Sequence, residues 1–196
     1  MSVPQRLVVG ISGGSGAVYG IRLLEVLRDS PVETHVVMTQ TAEQVARLET
    51  GRSPEAIKTL SDFAYRNDEL EAPIASGSFV TLGMVVAPCS IKSLSAIARC
   101  QADSLLLRAA DVMLKERRRL VLAVRETPLH LGHLRLMTQV TEQGAVVMPP
   151  NPGFYQQPRS LEELIDHSVG RLLEQFGLEH GLYERWGGGN GDPAKR

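Results

Sequence analysis

Residues 7–20 read Leu-Val-Val-Gly-Ile-Ser-Gly-Gly-Ser-Gly-Ala-Val-Tyr-Gly, an apolar run that passes through glycines and serines into a second apolar segment. The run Leu7–Ile11 predicts a buried strand, and apolar residues at helical spacing from Val18 to Leu27 predict a helix. A strand that enters a helix through small residues exposes backbone N–H groups at the positive end of the helix dipole, where anions bind. The stretch therefore predicts an α/β protein with a phosphate turn at residues 12–16.

This turn matches neither of two common phosphate-binding patterns. The dinucleotide pattern G-x-G-x-x-G fails because Ser12 and Tyr19 stand where glycines are needed. The P-loop pattern fails because no Lys followed by Ser or Thr comes after the glycines. A tight strand-to-helix turn without a ligand is the alternative interpretation of this segment alone.

The rest of the chain continues the alternation of strands and helices. Residues 51–79 are mixed, with a short helix predicted at Pro54–Asp62. Further strands are predicted at Glu33–Met38, Met84–Ala87, Leu120–Val124 and Ala145–Met148, and helices at Ala17–Asp29, Thr41–Glu49, Ser90–Ala98, Ala102–Arg117, Leu129–Thr141 and Leu161–Phe176. Strands rich in Val and Leu without polar alternation predict a parallel sheet covered on both faces, within a single domain over residues 1–186.

Composition excludes several classes of function. The 196-residue chain has a formal net charge of −1, which gives no general reason to expect nucleic acid or an anionic membrane as a partner. Its apolar runs are shorter than the ~18 residues of a membrane-spanning helix, and its first residues lack the apolar core of a signal peptide. Cys89 and Cys100 suggest no disulfide framework. We expect a soluble cytoplasmic protein with a disordered tail at 187–196.

Polar or small residues follow four of the predicted strands, at Ser12–Ser15, Thr39, Pro88–Ser90 and Arg125–Glu126. Because the carboxyl ends of parallel strands share one edge, these residues are expected to line a single crevice. Arg125 and Glu126 either cap the sheet or supply a charge clamp and a proton-transfer group, and their position favours the second interpretation.

Two further groups carry polar chemistry. Arg108, Asp111 and Lys115 share a helix face, where a solvated ion-pair ladder is the simplest interpretation. Tyr155, in a loop rich in Pro and Gly, and Arg171, sixteen residues later, can together hold a small phosphate ester. A structural tyrosine and a surface arginine are the alternative for either residue alone.

Neither the histidines nor the cysteines point to a metal centre or a nucleophile. His130 and His133 have helical spacing, but no further ligand set is evident in the sequence, so no metal site is predicted. Cys89 lacks the surroundings of a catalytic cysteine and is expected to be a small buried residue. Cys100 is expected to lie in the core.

Together these segments resemble the UbiX/Pad1 family of flavin prenyltransferases, from about Arg6 to Trp186. The segments that carry the resemblance are Gly-Ile-Ser-Gly-Gly-Ser-Gly-Ala (10–17), Ala-Ser-Gly-Ser (75–78), Pro-Cys-Ser (88–90), Arg-Ala-Ala-Asp-Val-Met-Leu-Lys-Glu (108–116), Arg-Glu-Thr-Pro-Leu (125–129), Pro-Gly-Phe-Tyr (152–155) and Arg-Trp (185–186). Each segment is weak evidence, whereas their order and spacing together are specific.

The resemblance implies a flavodoxin-like or Rossmann-like three-layer sandwich with a mostly parallel sheet, assembled as a homo-oligomer and typically a dodecamer. It implies an enzyme that joins reduced FMN to the dimethylallyl group of dimethylallyl monophosphate, through bonds at flavin N5 and C6, with release of phosphate. The prenylated FMN would serve a decarboxylase of the UbiD type, and no metal would take part.

The resemblance also assigns residues. Dimethylallyl phosphate would be held by Tyr155 and Arg171, with Lys115 and Arg108 contributed by a neighbouring subunit. Glu126 would transfer a proton, with Ser15 and Lys115 beside it in the catalytic set, and Trp186 would add an aromatic wall. The residues assigned to FMN are Gly13, Gly14, Ser15, Thr39, Ser90, Ser93 and Arg125.

Two alternatives remain at the level of sequence. One is a flavin-dependent cysteine decarboxylase, although the motif Pro-x-Met-Asn-x-x-Met-Trp of that class is absent. The other is a non-catalytic subunit that carries FMN for a decarboxylase. The segment Thr-Pro-Leu-His-Leu-Gly-His (127–133) resembles the small subunits of hydroxyarylic acid decarboxylases, and Arg135 departs from the Glu-Asn of many relatives, which puts local contacts in doubt.

Overall fold

The computed structural model describes residues 5–184 of the chain. Six strands form one sheet in the order β3-β2-β1-β4-β5-β6, and every neighbouring pair is parallel. The strands are β1 (Arg6–Ile11), β2 (Glu33–Met38), β3 (Phe63–Tyr65), β4 (Gly83–Cys89), β5 (Arg119–Val124) and β6 (Val146–Val147). The central strands are buried almost throughout, which explains why they show no polar alternation in the sequence.

Helices cover both faces of this sheet. Side chains alternate along β1, so Val9 packs into one apolar cluster and Val8 into the other. The helices of the first face are α1 (Ala17–Leu27), α2 (Gln40–Thr50), α3 (Pro54–Lys58) and α7 (Leu161–Glu174), and those of the second are α4 (Ile91–Ala98), α5 (Leu105–Lys115) and α6 (Leu131–Glu142). The three-layer α/β sandwich with a parallel sheet is confirmed.

The order of the strands reverses at β1. The chain passes from β1 through α1 to β2 on one side of the sheet, and β4 then pairs with β1 on the other side. Where two successive connections leave a parallel sheet in opposite directions, a crevice opens at the carboxyl ends of the strands. The predicted site residues after β1 and β4 flank this crevice.

Two local expectations are wrong. No strand is predicted within residues 51–79, whereas Phe63–Tyr65 forms the edge strand β3 beside β2. Cys100 is exposed rather than in the core, because it follows the end of α4 in a left-handed conformation with φ 55°. Among the helices of residues 5–184, none has the length and apolar character needed to cross a bilayer.

Candidate active site

Ser12 joins the carboxyl ends of β1 and β4. Its hydroxyl donates to the Pro88 carbonyl oxygen at 2.9 Å and accepts from the backbone N–H of Ser90 at 2.7 Å. The Ser12 N–H also donates to Pro88, at 3.1 Å. Because the Ser12 side chain is 1% exposed, these contacts fix the Gly13–Ser15 turn against the start of α4.

A polar cleft of about 600 Å³ lies beside this junction, between the first turns of α2, α4 and α5. Four of the residues predicted for FMN line it, namely Gly13, Thr39, Ser90 and Ser93. The Thr39 and Ser90 hydroxyls each accept a hydrogen bond from the first turn of their helices. The volume of this cleft lies within the range of typical ligand sites.

The start of α1 holds a carboxylate rather than an open anion site. Glu49, in the last turn of α2, accepts hydrogen bonds from the backbone N–H groups of Gly16 at 2.9 Å and Ala17 at 2.9 Å. The sequence had suggested that a phosphate would bind at these groups. Lys92 and Thr41, which also line the cleft, offer an alternative place for an anion at the starts of α4 and α2.

Arg125 and Glu126 follow β5 at the same edge of the sheet. The Arg125 N–H donates to the Cys89 carbonyl oxygen at 3.1 Å, which places the pair beside the end of β4. Both side chains are exposed, and one Glu126 carboxylate oxygen accepts from the Thr127 N–H at 3.0 Å. A charged pair is therefore available at the mouth of the crevice.

Tyr19 connects this pair to the last helix. It lies in the first turn of α1, and its N–H donates to the Gly16 carbonyl oxygen at 3.1 Å. Burial raises the pKa of Tyr19, while a hydrogen bond with Ser168 and the positive charge of Arg125 oppose the rise. The Tyr19 phenol therefore lies close to Ser168 and within range of the charge of Arg125, although these residues belong to distant parts of the sequence.

Tyr155 and Arg171 meet around His167 on α7. The Tyr155 hydroxyl lies 3.1 Å from His167 Nε2, and Arg171 follows His167 by one helical turn. His167, Ser168 and Arg171 line a small cleft of about 130 Å³ with the segment after β6. Burial lowers the pKa of His167, and the positive charge of Arg171 lowers it further, so the imidazole is neutral at neutral pH.

Lys115 does not reach this crevice within one chain. It ends α5 just before β5 begins at Arg119, so it lies at the amino edge of the sheet, opposite the crevice. Its ammonium pairs with Glu116 beside Gly77. Arg108, the other cation of α5, donates to Asp111 at 2.7 Å and to the Ala75 carbonyl oxygen at 3.2 Å. Trp186 lies outside the described residues.

Cys89 and the histidine pair behave as non-catalytic groups. Burial raises the pKa of the Cys89 thiol to about 12, so the thiolate that a nucleophile requires is negligible at neutral pH. The rings of His130 and His133 contact each other with centroids 3.6 Å apart. Within the described part of the chain, no three His, Cys, Asp or Glu side chains come together in a way that would hold a metal ion.

Comparisons with known proteins agree with this geometry. The model of the flavoprotein family matches residues 1–172. A flavin prenyltransferase UbiX of Escherichia coli is 58% identical over 187 residues, which are 94% of this chain and 99% of the relative. This chain belongs to the flavoprotein family and, within it, to the UbiX flavin prenyltransferases.

Solved structures of UbiX proteins have the same fold. A crystal structure of AnUbiX (PadA1) in complex with FMN and dimethylallyl pyrophosphate matches with a TM-score of 0.93 and 49% identity, over 95% of this chain and 99% of that one. A dodecameric FMN-dependent UbiX-like decarboxylase from Escherichia coli matches with a TM-score of 0.92 and 45% identity, over 94% of this chain and all of that one.

Three residues of the crevice were missed by sequence reasoning. Glu49 carried a signal, because a carboxylate in the last turn of a helix is unfavourable with the helix dipole and suggests a partner elsewhere. Tyr19 is one of only four tyrosines and lies within the decisive stretch. His167 gave no signal, since a single histidine on an apolar helix face is typical of many cores.

Proposed function

We propose that this protein is a flavin prenyltransferase that transfers the dimethylallyl group of dimethylallyl monophosphate to reduced FMN, forming bonds at N5 and C6 and releasing phosphate. The observation that carries this proposal is the polar cleft of about 600 Å³ at the carboxyl edge of the sheet, which four of the residues assigned to FMN line. Arg171 lines a second, smaller cleft, and Tyr155 contacts His167 of that cleft. The first cleft suits a flavin nucleotide, and the second suits a phosphate ester. The 58% identity to a UbiX protein, over nearly the full length of both chains, supports the same activity.

We assign FMN to the cleft between α2, α4 and α5. Gly13, Gly14 and Ser15 would present backbone and hydroxyl donors, and Arg125 would add a positive charge from the end of β5. The hydroxyls of Thr39, Ser90 and Ser93 line or adjoin the same space. Because Glu49 holds the N–H groups at the start of α1, we place the flavin phosphate at the starts of α2 and α4, near Lys92.

Reduced FMN supplies the nucleophilic atoms when it is bound. The chain must then stabilise the departing phosphate, hold the prenyl group close and exclude water from an allylic cation. Arg171 and Tyr155 would donate to the phosphate oxygens, and the charge of Arg171 would favour cleavage of the C–O bond. Glu126 would transfer the proton that accompanies phosphate release.

The complete site would use two subunits. Lys115, at the opposite edge of the sheet, and Arg108 would add positive charge from a neighbouring copy, and Trp186 would add an aromatic wall. We propose a homo-oligomer, a dodecamer as in the Escherichia coli relative, in the cytoplasm. The product would serve a UbiD-type decarboxylase, and the segment at 127–133 favours one that acts on phenolic acids.

The test is an anaerobic incubation of the protein with reduced FMN and dimethylallyl monophosphate, with the diphosphate in a parallel arm. We expect release of inorganic phosphate and a flavin whose mass has increased by one five-carbon unit. An unchanged flavin without phosphate release would leave the chain as a carrier of FMN. Decarboxylation of a cysteinyl peptide in a third arm would indicate the cysteine decarboxylase class instead.

A further inference from the structure

We propose that Glu174 is a positioning residue for Arg171, and that the buried Tyr183 hydroxyl is a donor available to Glu174. The proposal rests on the function given above, in which Arg171 binds the phosphate of the prenyl donor. It concerns the chain segment after α7, which folds back onto that helix. None of the sequence motifs that carry the resemblance includes Glu174 or Tyr183.

Glu174 is the partner that orients the Arg171 guanidinium. Arg171 Nη1 lies 2.5 Å from Glu174 Oε2, one helical turn further along α7. The Glu174 side chain is 16% exposed and the Arg171 side chain 49% exposed. The carboxylate is thus the fixed member of the pair, while the guanidinium reaches the surface of the small cleft with further N–H donors for a phosphate.

Tyr183 packs across α7 at Gly170. A Cβ atom at Gly170 would lie 2.4 Å from Tyr183 Cε1, so only glycine leaves room for the ring. The Tyr183 ring lies between two imidazoles, with centroid distances of 4.8 Å to His167 and 4.8 Å to His180. This close approach fixes the position of the ring along the helix.

The Tyr183 hydroxyl is buried and makes no hydrogen bond at bonding geometry among the described residues, but it lies close enough to Glu174 and Arg171 for both charges to act on its pKa. Burial raises the pKa of Tyr183 to about 12, and the adjacent Glu174 carboxylate contributes to the rise. The phenol therefore keeps its proton at neutral pH and can donate to Glu174. His180 Nε2 also lies 3.5 Å from the other Glu174 oxygen, without forming a hydrogen bond to it.

The same scaffold supports the second phosphate ligand. His167, which contacts the Tyr183 ring, lies 3.1 Å from the Tyr155 hydroxyl through Nε2. Tyr155 and Arg171 therefore depend on one packed unit, although they come from a loop and a helix. An arginine that is oriented before substrate arrives loses less conformational entropy on binding. The expected benefit is substrate affinity, because an exposed ion pair by itself stabilises a fold only weakly.

The experiment compares Glu174→Gln and Glu174→Ala with the unmodified enzyme in the prenyl-transfer assay. We expect KM for dimethylallyl monophosphate to rise about tenfold, as loss of pre-orientation of one side chain allows, with kcat within about twofold and FMN affinity unchanged. Tyr183→Phe keeps the ring and removes the donor, so KM should rise by about threefold. Thermal melting reports whether each variant folds, and Glu174→Gln preserves the shape if the alanine variant does not fold.

A matched control is Tyr65→Phe. Tyr65 also places its hydroxyl against a buried histidine, 3.0 Å from His35 Nδ1, but it belongs to β3 at the far edge of the sheet. The control should lose stability without any change in KM. A rise in KM equal to that of Tyr183→Phe would overturn the inference, because it would mean that general loosening of the fold is responsible.

The Arg171→Gln background separates this inference from the proposed function. If Glu174 acts through Arg171, adding Glu174→Gln to Arg171→Gln should raise KM no further. Independent, multiplicative effects would overturn the positioning role. If Arg171→Gln alone leaves KM unchanged, the assignment of Arg171 to the substrate fails. If Arg171→Gln raises KM while the Glu174 variants do not, only the inference fails.

Discussion

In the proposed reaction, Glu126 would transfer a proton to the departing phosphate. It follows β5 directly, its side chain is exposed at the mouth of the crevice, and its backbone is placed by the hydrogen bond from Arg125 to Cys89. One carboxylate oxygen accepts from the Thr127 N–H, and the exposed side chain leaves the other oxygen open to substrate. An acid or base at this position acts on the chemical step rather than on binding of the flavin.

Glu126→Gln should therefore slow turnover by about 10²-fold or more, the typical cost of losing a general acid or base. FMN binding, followed by quenching of flavin fluorescence, should stay the same, since the amide keeps the size of the side chain. Glu142→Gln, at an exposed carboxylate that ends α6, is the control and should keep full activity. Full activity of the Glu126 variant would remove its assigned role.

His35 is a buried titratable group remote from the crevice. Its side chain is 1% exposed, stacks on Phe63 with centroids 4.9 Å apart and lies 2.9 Å from a Glu33 oxygen through Nε2. Burial lowers the pKa of His35, the charge of Arg6 adds to this, and Glu33 and Asp62 oppose it. The folded protein thus keeps His35 neutral at a pH where the unfolded chain takes up a proton.

The free energy of unfolding should consequently fall as pH drops through the unfolded histidine pKa of about 6.5. The sign follows because the unfolded state binds more protons than the native state in that window. His167 contributes with the same sign, since its pKa is also lowered. Urea unfolding between pH 8 and pH 5.5 measures the slope, which should be shallower in His35→Gln.

The unmodified chain provides the comparison for this slope, because His35→Gln removes one buried imidazole and leaves every other titratable side chain in place. Equal slopes for His35→Gln and the unmodified chain would show that His35 protonation does not couple to folding.

At the level of elements, most of the sheet could be predicted and its edges could not. The runs of β1, β2, β4 and β5 are apolar and nearly fully buried, so the sequence carries their signal. Strand β3 has three residues, of which Phe63 and Ala64 are exposed, and it is defined by its pairing with β2. Such a strand depends on tertiary contacts that a local pattern does not contain.

Some residues of the candidate site could likewise be predicted from the sequence and others could not. Gly13, Thr39 and Ser90 could be predicted because each follows a strand whose end the sequence identifies. The partners of Glu49 and the role of His167 could not, because they come from helix packing between α2 and α1 and from the fold of α7 against the loop that carries Tyr155. Distances between non-neighbouring elements are what the sequence leaves open.

Helix α1 packs closely against the sheet at Gly20. A Cβ atom at Gly20 would lie 2.3 Å from the Ala87 carbonyl oxygen and 2.9 Å from Ile11 Cγ1. Both neighbours are parts of the packed sheet, so α1 would have to move outward. Gly20→Ala should destabilise the fold by about 1–3 kcal/mol, the usual cost of overpacking, and weaken FMN binding because α1 starts at the Gly13–Ser15 turn.

Chemical denaturation and flavin titration measure these two effects. Gly181→Ala is the matched control, because no atom lies within 4 Å of a Cβ at that position. It should unfold at the same urea concentration as the unmodified chain. A Gly20→Ala variant of unchanged stability would mean that the α1–sheet contact is adaptable.

At the scale of the whole molecule, the proposed reaction needs more than one copy of the chain. Tyr155 and Arg171 lie at the carboxyl edge of the sheet, and Lys115 ends α5 at the amino edge. The surface offers apolar side chains for contact between copies at the start of α6, where Leu131 is 59% exposed and Leu134 47% exposed. A neighbouring subunit is the simplest way to bring Lys115 to the phosphate.

This arrangement predicts complementation between two inactive variants. Lys115→Ala and Arg171→Gln should each lose most activity in homogeneous assemblies. Mixed assemblies form by co-expression of the two chains. If the chains are present equally and mix at random, a chain with intact Arg171 meets a neighbour with intact Lys115 at about a quarter of the sites. Phosphate release should therefore recover to about a quarter of the unmodified rate.

The control is a mixture of two variants of the same half-site, Tyr155→Phe with Arg171→Gln, in which both changes affect one phosphate pocket. If each pocket belongs to one chain, a mixed assembly contains no site with both residues intact, and activity should stay at the level of the separate variants. Recovery in this control would indicate that one pocket takes Tyr155 and Arg171 from different chains, against the contact that both make with the His167 region of one chain. Native mass spectrometry would show that the assemblies of Lys115→Ala with Arg171→Gln contain both chains. If activity does not recover in such assemblies, Lys115 takes no part in the reaction, because no single chain can bring its ammonium, at the amino edge of the sheet, to a phosphate at the carboxyl edge.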